Sequence, residues 1–488
     1  MWFFRNFRAA QRARQLRPNS ARLGLALFVA LLSSGALALA QSPADDAERA
    51  LKAMAAGDYG QAVEIYARLT SKFPQNLDVK RNLALALHSA GRYPEALPLF
   101  TLILRSAPED KAALLFSGIE LTSLHEPGKA ISHLTKFLEQ DTHSSMGFLT
   151  RGRAYLALDQ LSSAIEDFAK AADLDPGNSK AWEGVGKAYL LAAQQAFQFV
   201  EEHGTFSAEW HGLLARSYSS AGDYKMAFRF FREAESRAPD LPGVHSGMAE
   251  VYKQTGHPDW AALELAKDEK PSVHVSTELR RKYLDVLQFQ SHGAEALARL
   301  ARNPETSEYH ALLGLAYRVQ HRDVESVDEF RRALAFSPNS LNMKLELAIS
   351  MGVLKDCKGA MPILRDVIKD DPHSTEANEV LGECLVDQNR PEEAISVLKA
   401  ALLRDPRLLP AELAIGRAYL HMADYPNAAL HLRRAADLGD PSILYQLAIA
   451  YRKLGDEKAS GEYLAKYKIR VQQVQQRSQA PAGEITPP

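Results

Sequence analysis

Three sets of residues in this 488-residue chain have the types from which reactive sites are built. His125, Glu126 and His133 could offer imidazole and carboxylate ligands to a metal. His125-Glu126-Pro127 reads as a turn, however, and His133 follows eight residues after His125, a spacing that suits neither a zinc helix nor a finger. Gly184-Val185-Gly186-Lys187 has the glycines and lysine of a phosphate loop but lies inside a helical pattern. Cys357 and Cys384, the two cysteines, could be bridged if the chain meets oxidising conditions, or could be two separate small core residues. The chain has no Gly-x-Ser-x-Gly elbow, no His-Glu-x-x-His helix and no sizeable region free of repeats to house an enzyme domain. These residues predict a protein that is not an enzyme and has no cofactor and no metal.

What positions them is a rhythm. Prolines at 74, 108, 176, 239, 338, 372 and 406 are separated by 34, 68, 63, 99, 34 and 34 residues, close to multiples of 34. A period in this range marks a stack of identical supersecondary units, each touching only its neighbours. The stretch Ser145 to Asn178 shows the unit best: Phe148, Gly152, Tyr155, Ala164, Phe168, Ala171 and Pro176. Phe148 and Tyr155 start an apolar stripe on a first helix. Gly152 and Ala164 let a second helix approach, and Asp175-Pro176-Gly177 stops it. This pattern resembles the tetratricopeptide repeat, a 34-residue helix–turn–helix. Alanines at 62, 96, 130, 164, 227, 261, 360, 394 and 428 repeat the small position, and tyrosines at 155, 189, 218, 252, 317, 419 and 451 the large one. Twelve units are expected, beginning near residues 43, 77, 111, 145, 179, 208, 242, 307, 341, 375, 409 and 441.

The resemblance implies an all-α fold, a right-handed α–α superhelical solenoid that binds partners along the concave face of its first helices. Residues two before the family's tyrosine position would line that groove. Arg153, Lys187 and Arg216 would then form a basic ladder over three consecutive units, able to hold carboxylates or phosphates of an extended partner. Trp182 and Trp210 are where a carbohydrate-binding groove would show exposed rings.

The ends and the irregularities set the expected organisation. Residues 1–40 carry six arginines and no acid or lysine, then the apolar run Leu23 to Leu32 and the small residues Ala38-Leu39-Ala40. This is the order of a signal peptide cleaved after Ala40, or alternatively of an anchor at 23–40, whose 18 residues could just span a bilayer. Without those arginines the chain has 52 basic and 60 acidic residues, a poor balance for general nucleic-acid binding. A first array is expected over 41–270, irregular at 194–207, and a degenerate helical pair or hinge over 271–306. A second array would cover 307–470, with a helical extension and disordered Pro-rich tail over 471–488. The expected function is an exported protein-interaction scaffold of the periplasm or cell envelope, with a protein or peptide partner. The alternative is an accessory of polysaccharide or polymer export that binds a carbohydrate or lipid-linked substrate.

Overall fold

The repeating unit begins with a turn chemistry that recurs along the chain. Gly57, Gly222 and Gly455 end first helices at φ of 79°, 78° and 81°, the left-handed conformation that glycine adopts without a Cβ penalty. The aspartate that follows caps the second helix: Asp58 Oδ1 accepts from the Gln61 amide, Asp223 from Met226 and Asp456 from Ala459. In the computed structural model, which describes residues 43–267, 278–320, 322–438, 440–478 and 484–488, this produces twenty-four α-helices and no strand among the described residues. The expected signal segment, residues 1–40, lies outside them. The protein is an all-α repeat solenoid.

The chain divides into two compact units, Met1–Ala154 and Tyr155–Pro488, so the division expected near residues 271–306 falls elsewhere. In the first unit the helices are α1 (Pro43–Ala56), α2 (Tyr59–Lys72), α3 (Leu77–Ser89), α4 (Tyr93–Ser106), α5 (Lys111–Ser123) and α6 (Pro127–Gln140). Each packs on the next, so the core is a continuous strip rather than a ball. Tyr66, Phe100 and Ile103 fill the first part of it and Leu134 and Phe137 the second. Fully burying one such side chain contributes about 1.5–3 kcal/mol. Helix α7 (Ser145–Ala157) contains the boundary between the units.

The second unit opens with α8 (Leu161–Leu174) and then departs from the expected pattern. Helix α9 runs unbroken over Ser179–His203, through residues 194–203 of the stretch expected to be irregular. Four helices follow: α10 (Ala208–Ser220), α11 (Tyr224–Arg237), α12 (Val244–Gln254) and α13 (Pro258–Leu265). The region expected as a degenerate pair is one helix, α14 (Glu278–Leu300), while residues 271–277 lie outside the described ones. Helices α9 and α14 are each other's partners and share the most extensive helix contact of the protein. They run antiparallel: Arg299 lies 5.4 Å over the Trp182 ring, His292 stacks on Tyr189 at 4.7 Å and Lys282 lies 5.8 Å over Phe199.

One repeat is therefore split. Its first helix is the front of α9 and its second helix is the back of α14. Pro304 closes it three residues before Ser307, as Pro338 stands before Leu341, and Pro304, Pro338, Pro372 and Pro406 keep the 34-residue interval. Pro176 and Pro304 are 128 residues apart, one 34-residue period plus 94. Those 94 residues are an insertion: two further repeats, α10–α11 and α12–α13, carried on the prolonged ends of α9 and α14. The insert has its own core, in which Ala196 and Val200 of α9 and Tyr283 and Val286 of α14 pack with Trp210, Phe231 and Tyr252.

The enclosing array resumes directly on α9. Its helices are α15 (Ser307–Val319), α16 (Asp323–Phe336), α17 (Leu341–Val353), α18 (Cys357–Asp370), α19 (Thr375–Asp387), α20 (Pro391–Arg404), α21 (Leu409–His421) and α22 (Tyr425–Arg434). It ends with α23 (Pro441–Lys453) and α24 (Glu457–Ser478). Helix α9 packs on α8 and α15, so α15 follows it in space although 103 residues separate Val319's helix start at Ser307 from Gly204, the cap of α9. Residues 484–488, expected to be disordered, are also placed: Ile485 packs on the core of the insert, and residues 479–483 lie outside the described ones.

Candidate functional site

The split repeat borders a concavity in the second unit. A cavity of about 900 Å³ is bounded by α9 and α14, by α10 of the insert, by α15 of the enclosing array and by the array's end, where Asp440 and Pro441 at the start of α23 and Arg470 of α24 also line it. Phe197, Leu213, Leu297, Leu312 and Val319 make its apolar lining, and Arg216 and Arg318 reach it from opposite sides. A regular stack has no such fork, because consecutive helices leave no gap between repeats. The cavity's size and mixed lining suit a segment of polypeptide a few residues long.

Of the three residues expected to form a basic ladder, Arg153 is exposed and belongs to the first unit, while Lys187 and Arg216 belong to the second, where both are bonded. Lys187 Nζ bonds Glu346 Oε1 of α17 at 2.7 Å, and Arg318 Nη2 bonds Glu346 Oε2 at 2.7 Å. Glu346 is buried, which alone would raise its carboxyl, but the two cations outweigh burial and hold it down at about 2. Glu346 in turn raises the Lys187 ammonium above the usual lysine range. Arg216 Nη2 donates to the Gly243 carbonyl at 2.8 Å, and Tyr283 Oη donates to the neighbouring Pro242 carbonyl at 2.8 Å. Lys187 and Arg216 thus fasten the fork: one ties the split repeat to the array after it, the other ties the insert's two repeats together.

The other sequence candidates are also put to packing. His125 takes a left-handed turn position at φ 57°, while His133 on α6 bonds the Ser117 hydroxyl at 2.8 Å, with its imidazole pushed down by burial and Lys136. Gly184 and Gly186 lie within α9, where a Cβ on Gly186 would come 2.4 Å from Leu312 Cδ2. Trp210 is buried in the insert, and the half-buried Trp182 donates Nε1 to the Pro176 carbonyl at 3.1 Å, so both rings serve packing. Cys357 and Cys384 are joined in a disulfide between α18 and α19, their Cα atoms 5.2 Å apart.

Sequence reading missed a set of histidine–carboxylate bonds that tie the first helix of a repeat to its second. His245–Glu264 and His310–Glu329 are 2.6 Å apart and Glu412–His431 2.5 Å, each pair 19 residues apart at the same two repeat positions. A His or Glu recurring at a fixed phase is the signal that could have found them. Glu235 stands 4.0 Å from His245, and the ligand atoms of Glu235, His245 and Glu264 lie within 4.8 Å of one another. A divalent ion would fit that spacing, but Arg232 already pairs with Glu235 at 2.6 Å and Lys267 with Glu264 at 3.0 Å. The cluster is charge-balanced without an ion, and its His–Glu bond recurs at two sites with no third acid.

Family models agree with this repeat structure over part of the chain. Tetratricopeptide repeat models match residues 47–111, 149–192, 208–241 and 354–414. The chain is similar to a solved tetratricopeptide repeat protein from Parabacteroides merdae at 18% identity, covering 64% of this chain and 99% of that one, with a TM-score of 0.32. It is similar to a chain of the APC/C hetero-tetramer Cut9–Hcn1 at 13% identity, covering 88% and 94%, with a TM-score of 0.35. The Pseudomonas aeruginosa pilF structure is matched at 17% identity over 40% of this chain and 93% of that one, with a TM-score of 0.34. No curated protein matches the chain.

Proposed function

We propose that this chain, which carries tetratricopeptide repeats along its length, is a non-catalytic protein-interaction scaffold of the cell envelope. The observation that carries the reading is the split repeat with its cavity of about 900 Å³, a polypeptide-sized concavity on an array type made for binding polypeptide. The partner is a protein or peptide held in an extended form against the apolar lining, with Arg216 and Arg318 at the sides. Two features support export. The first is the order of arginines, apolar run and small residues before Gln41. The second is the Cys357–Cys384 disulfide, because such bonds persist in oxidising compartments.

The test is a photo-crosslinking residue at Gln198, which lines the cavity, compared with one at the exposed Leu403 of α20. In native cells the Gln198 probe should capture a discrete polypeptide that the Leu403 probe does not. Equal capture at both positions would remove the cavity as the site. Cell fractionation with N-terminal sequencing addresses the location: an envelope protein beginning at Gln41 is expected, and a cytoplasmic one beginning at Met1 would overturn export.

A further inference from the structure

Away from the cavity, the insert presents a second surface that is already occupied. Tyr252, at the large position of the repeat in α12, is fully buried, and its hydroxyl donates to the Thr486 carbonyl at 2.7 Å, a contact 234 residues away in sequence. Ile485 is half-buried against the same core. Glu484, Thr486, Pro487 and Pro488 stay exposed. The contact therefore has the form of peptide recognition rather than core packing. One aliphatic side chain is docked, one main-chain carbonyl is read, and the flanking residues are left in water.

The surface beneath is aromatic. Trp260 meets Tyr252 edge-on at 5.7 Å, Phe228 is 5.6 Å from it, and His257 stacks on Trp260 at 4.0 Å. A buried aromatic hydroxyl beside an apolar seat suits an extended chain that offers one aliphatic side chain and a main-chain carbonyl free to accept. The Tyr252 hydroxyl has no other hydrogen-bond partner among the described residues, so removing the tail would strand a buried donor. Burial, with Glu264 nearby, pushes that hydroxyl up to about 12, which keeps it protonated and donating at any physiological pH.

We propose that the Tyr252 surface of the insert is a docking site for an extended segment of Ile-Thr-Pro-Pro chemistry, and that residues 484–488 of the chain are its built-in competitor. This deepens the scaffold reading by giving the insert a partner class of its own. A covalently tethered ligand acts at an effective concentration on the order of millimolar, so an outside segment binds only weakly until the tail is displaced.

The test uses the full chain and a fluorescein-labelled Gly-Glu-Ile-Thr-Pro-Pro peptide, read by fluorescence anisotropy. Ile485→Asp places a carboxylate in the apolar seat and should release the tail. The labelled peptide should then bind the I485D chain at least about tenfold more tightly than the unaltered chain. Adding Tyr252→Phe, which keeps the ring and loses only the donor, should weaken binding to I485D about fivefold. The same peptide with aspartate in place of isoleucine should not bind. Equal affinity for the two chains, or no binding to I485D, overturns the proposal. A Y252F effect absent while I485D binds would overturn the hydroxyl's role. Crosslinking at Gln198 probes a different surface, so failure there and failure here are separate results.

Discussion

At the scale of single residues, the decisive group is Glu346, the carboxylate shared by Lys187 and Arg318. Removing one partner of a buried ion pair leaves the others uncompensated, at a cost of about 3–5 kcal/mol. Glu346→Gln should therefore lower unfolding free energy in urea by roughly 3 kcal/mol, the amide keeping part of the hydrogen bonding. A loss under about 0.5 kcal/mol, the size of a surface change, would show the triad to be incidental. Its carboxyl is held below the unfolded value of 4.5, so its contribution is present above pH 4.5 and is lost as pH falls toward about 2. Glu379 on α19 has the opposite sign. Burial, with Glu383 and Glu376 beside it, pushes Glu379 up to about 7. The folded state then holds a proton that the unfolded state releases between pH 4.5 and 7, and stability falls as pH rises through that window. Glu379→Gln should stabilise the protein on the order of 2 kcal/mol at pH 8 and change little at pH 4, measured by thermal melts at both. Lys187 and Arg216 could be picked out in sequence by repeat phase, but not their partners. Glu346 lies 159 residues from Lys187, and no local pattern connects them.

At the scale of elements, two glycines in helices give opposite outcomes. Alanine in place of a helical glycine gains about 0.5–1 kcal/mol from backbone entropy. At Gly461 of α24 nothing lies within 4 Å of an added Cβ, so Gly461→Ala should be stabilising by that amount. At Gly186 the Cβ would stand 2.4 Å from Leu312 Cδ2 and 3.2 Å from Ala296 Cβ, where α9 meets both α15 and α14. Overpacking there costs about 1–3 kcal/mol and outweighs the entropy gain. Gly186→Ala should lower the melting temperature and Gly461→Ala raise it; the same sign for both would mean that α9 is not closely seated. The helices and turns were largely legible in sequence because 3.6-residue periodicity, Gly-Asp turns and closing prolines are local. What misled was α9 itself. Its second half has the composition of any amphipathic helix, and no residue marks that it continues the first half instead of folding back.

At the scale of the molecule, the insertion makes a prediction about what can be removed. If residues 194–287 are an insert within one repeat, replacing them with a Gly-Asp turn should rejoin the front of α9 to the back of α14 as an ordinary pair. The shortened chain should stay soluble, keep its helical content per residue by circular dichroism and melt cooperatively. A control deletion of 94 residues from 208 to 301 removes α14, leaves α9 without the second helix of its repeat, and should aggregate or lose cooperativity. Similar behaviour of the two deletions would contradict the split repeat. Neighbour-only contact is what makes such surgery feasible in a solenoid, whereas a globular core would not tolerate it.

The sequence by itself determined the class of fold, the repeat length, the small and large positions and the twelve starting points, because each depends on residues within one 34-residue window. Only the tertiary structure decided which helices are partners. Helix α9 takes α14 as the second helix of its repeat, and the small residues Gly186, Gly293 and Ala296 allow close approach where the front of α9 meets the back of α14. Once that pairing forms, Pro304 takes its place in the rhythm, and the 94 residues between become a branch with its own core. The same folding sets the roles of side chains that looked alike in sequence. Arg153 stays exposed, while Lys187 and Arg216 are bound into the fork, because a charge's neighbours are chosen by packing at long range and not by the period that places it.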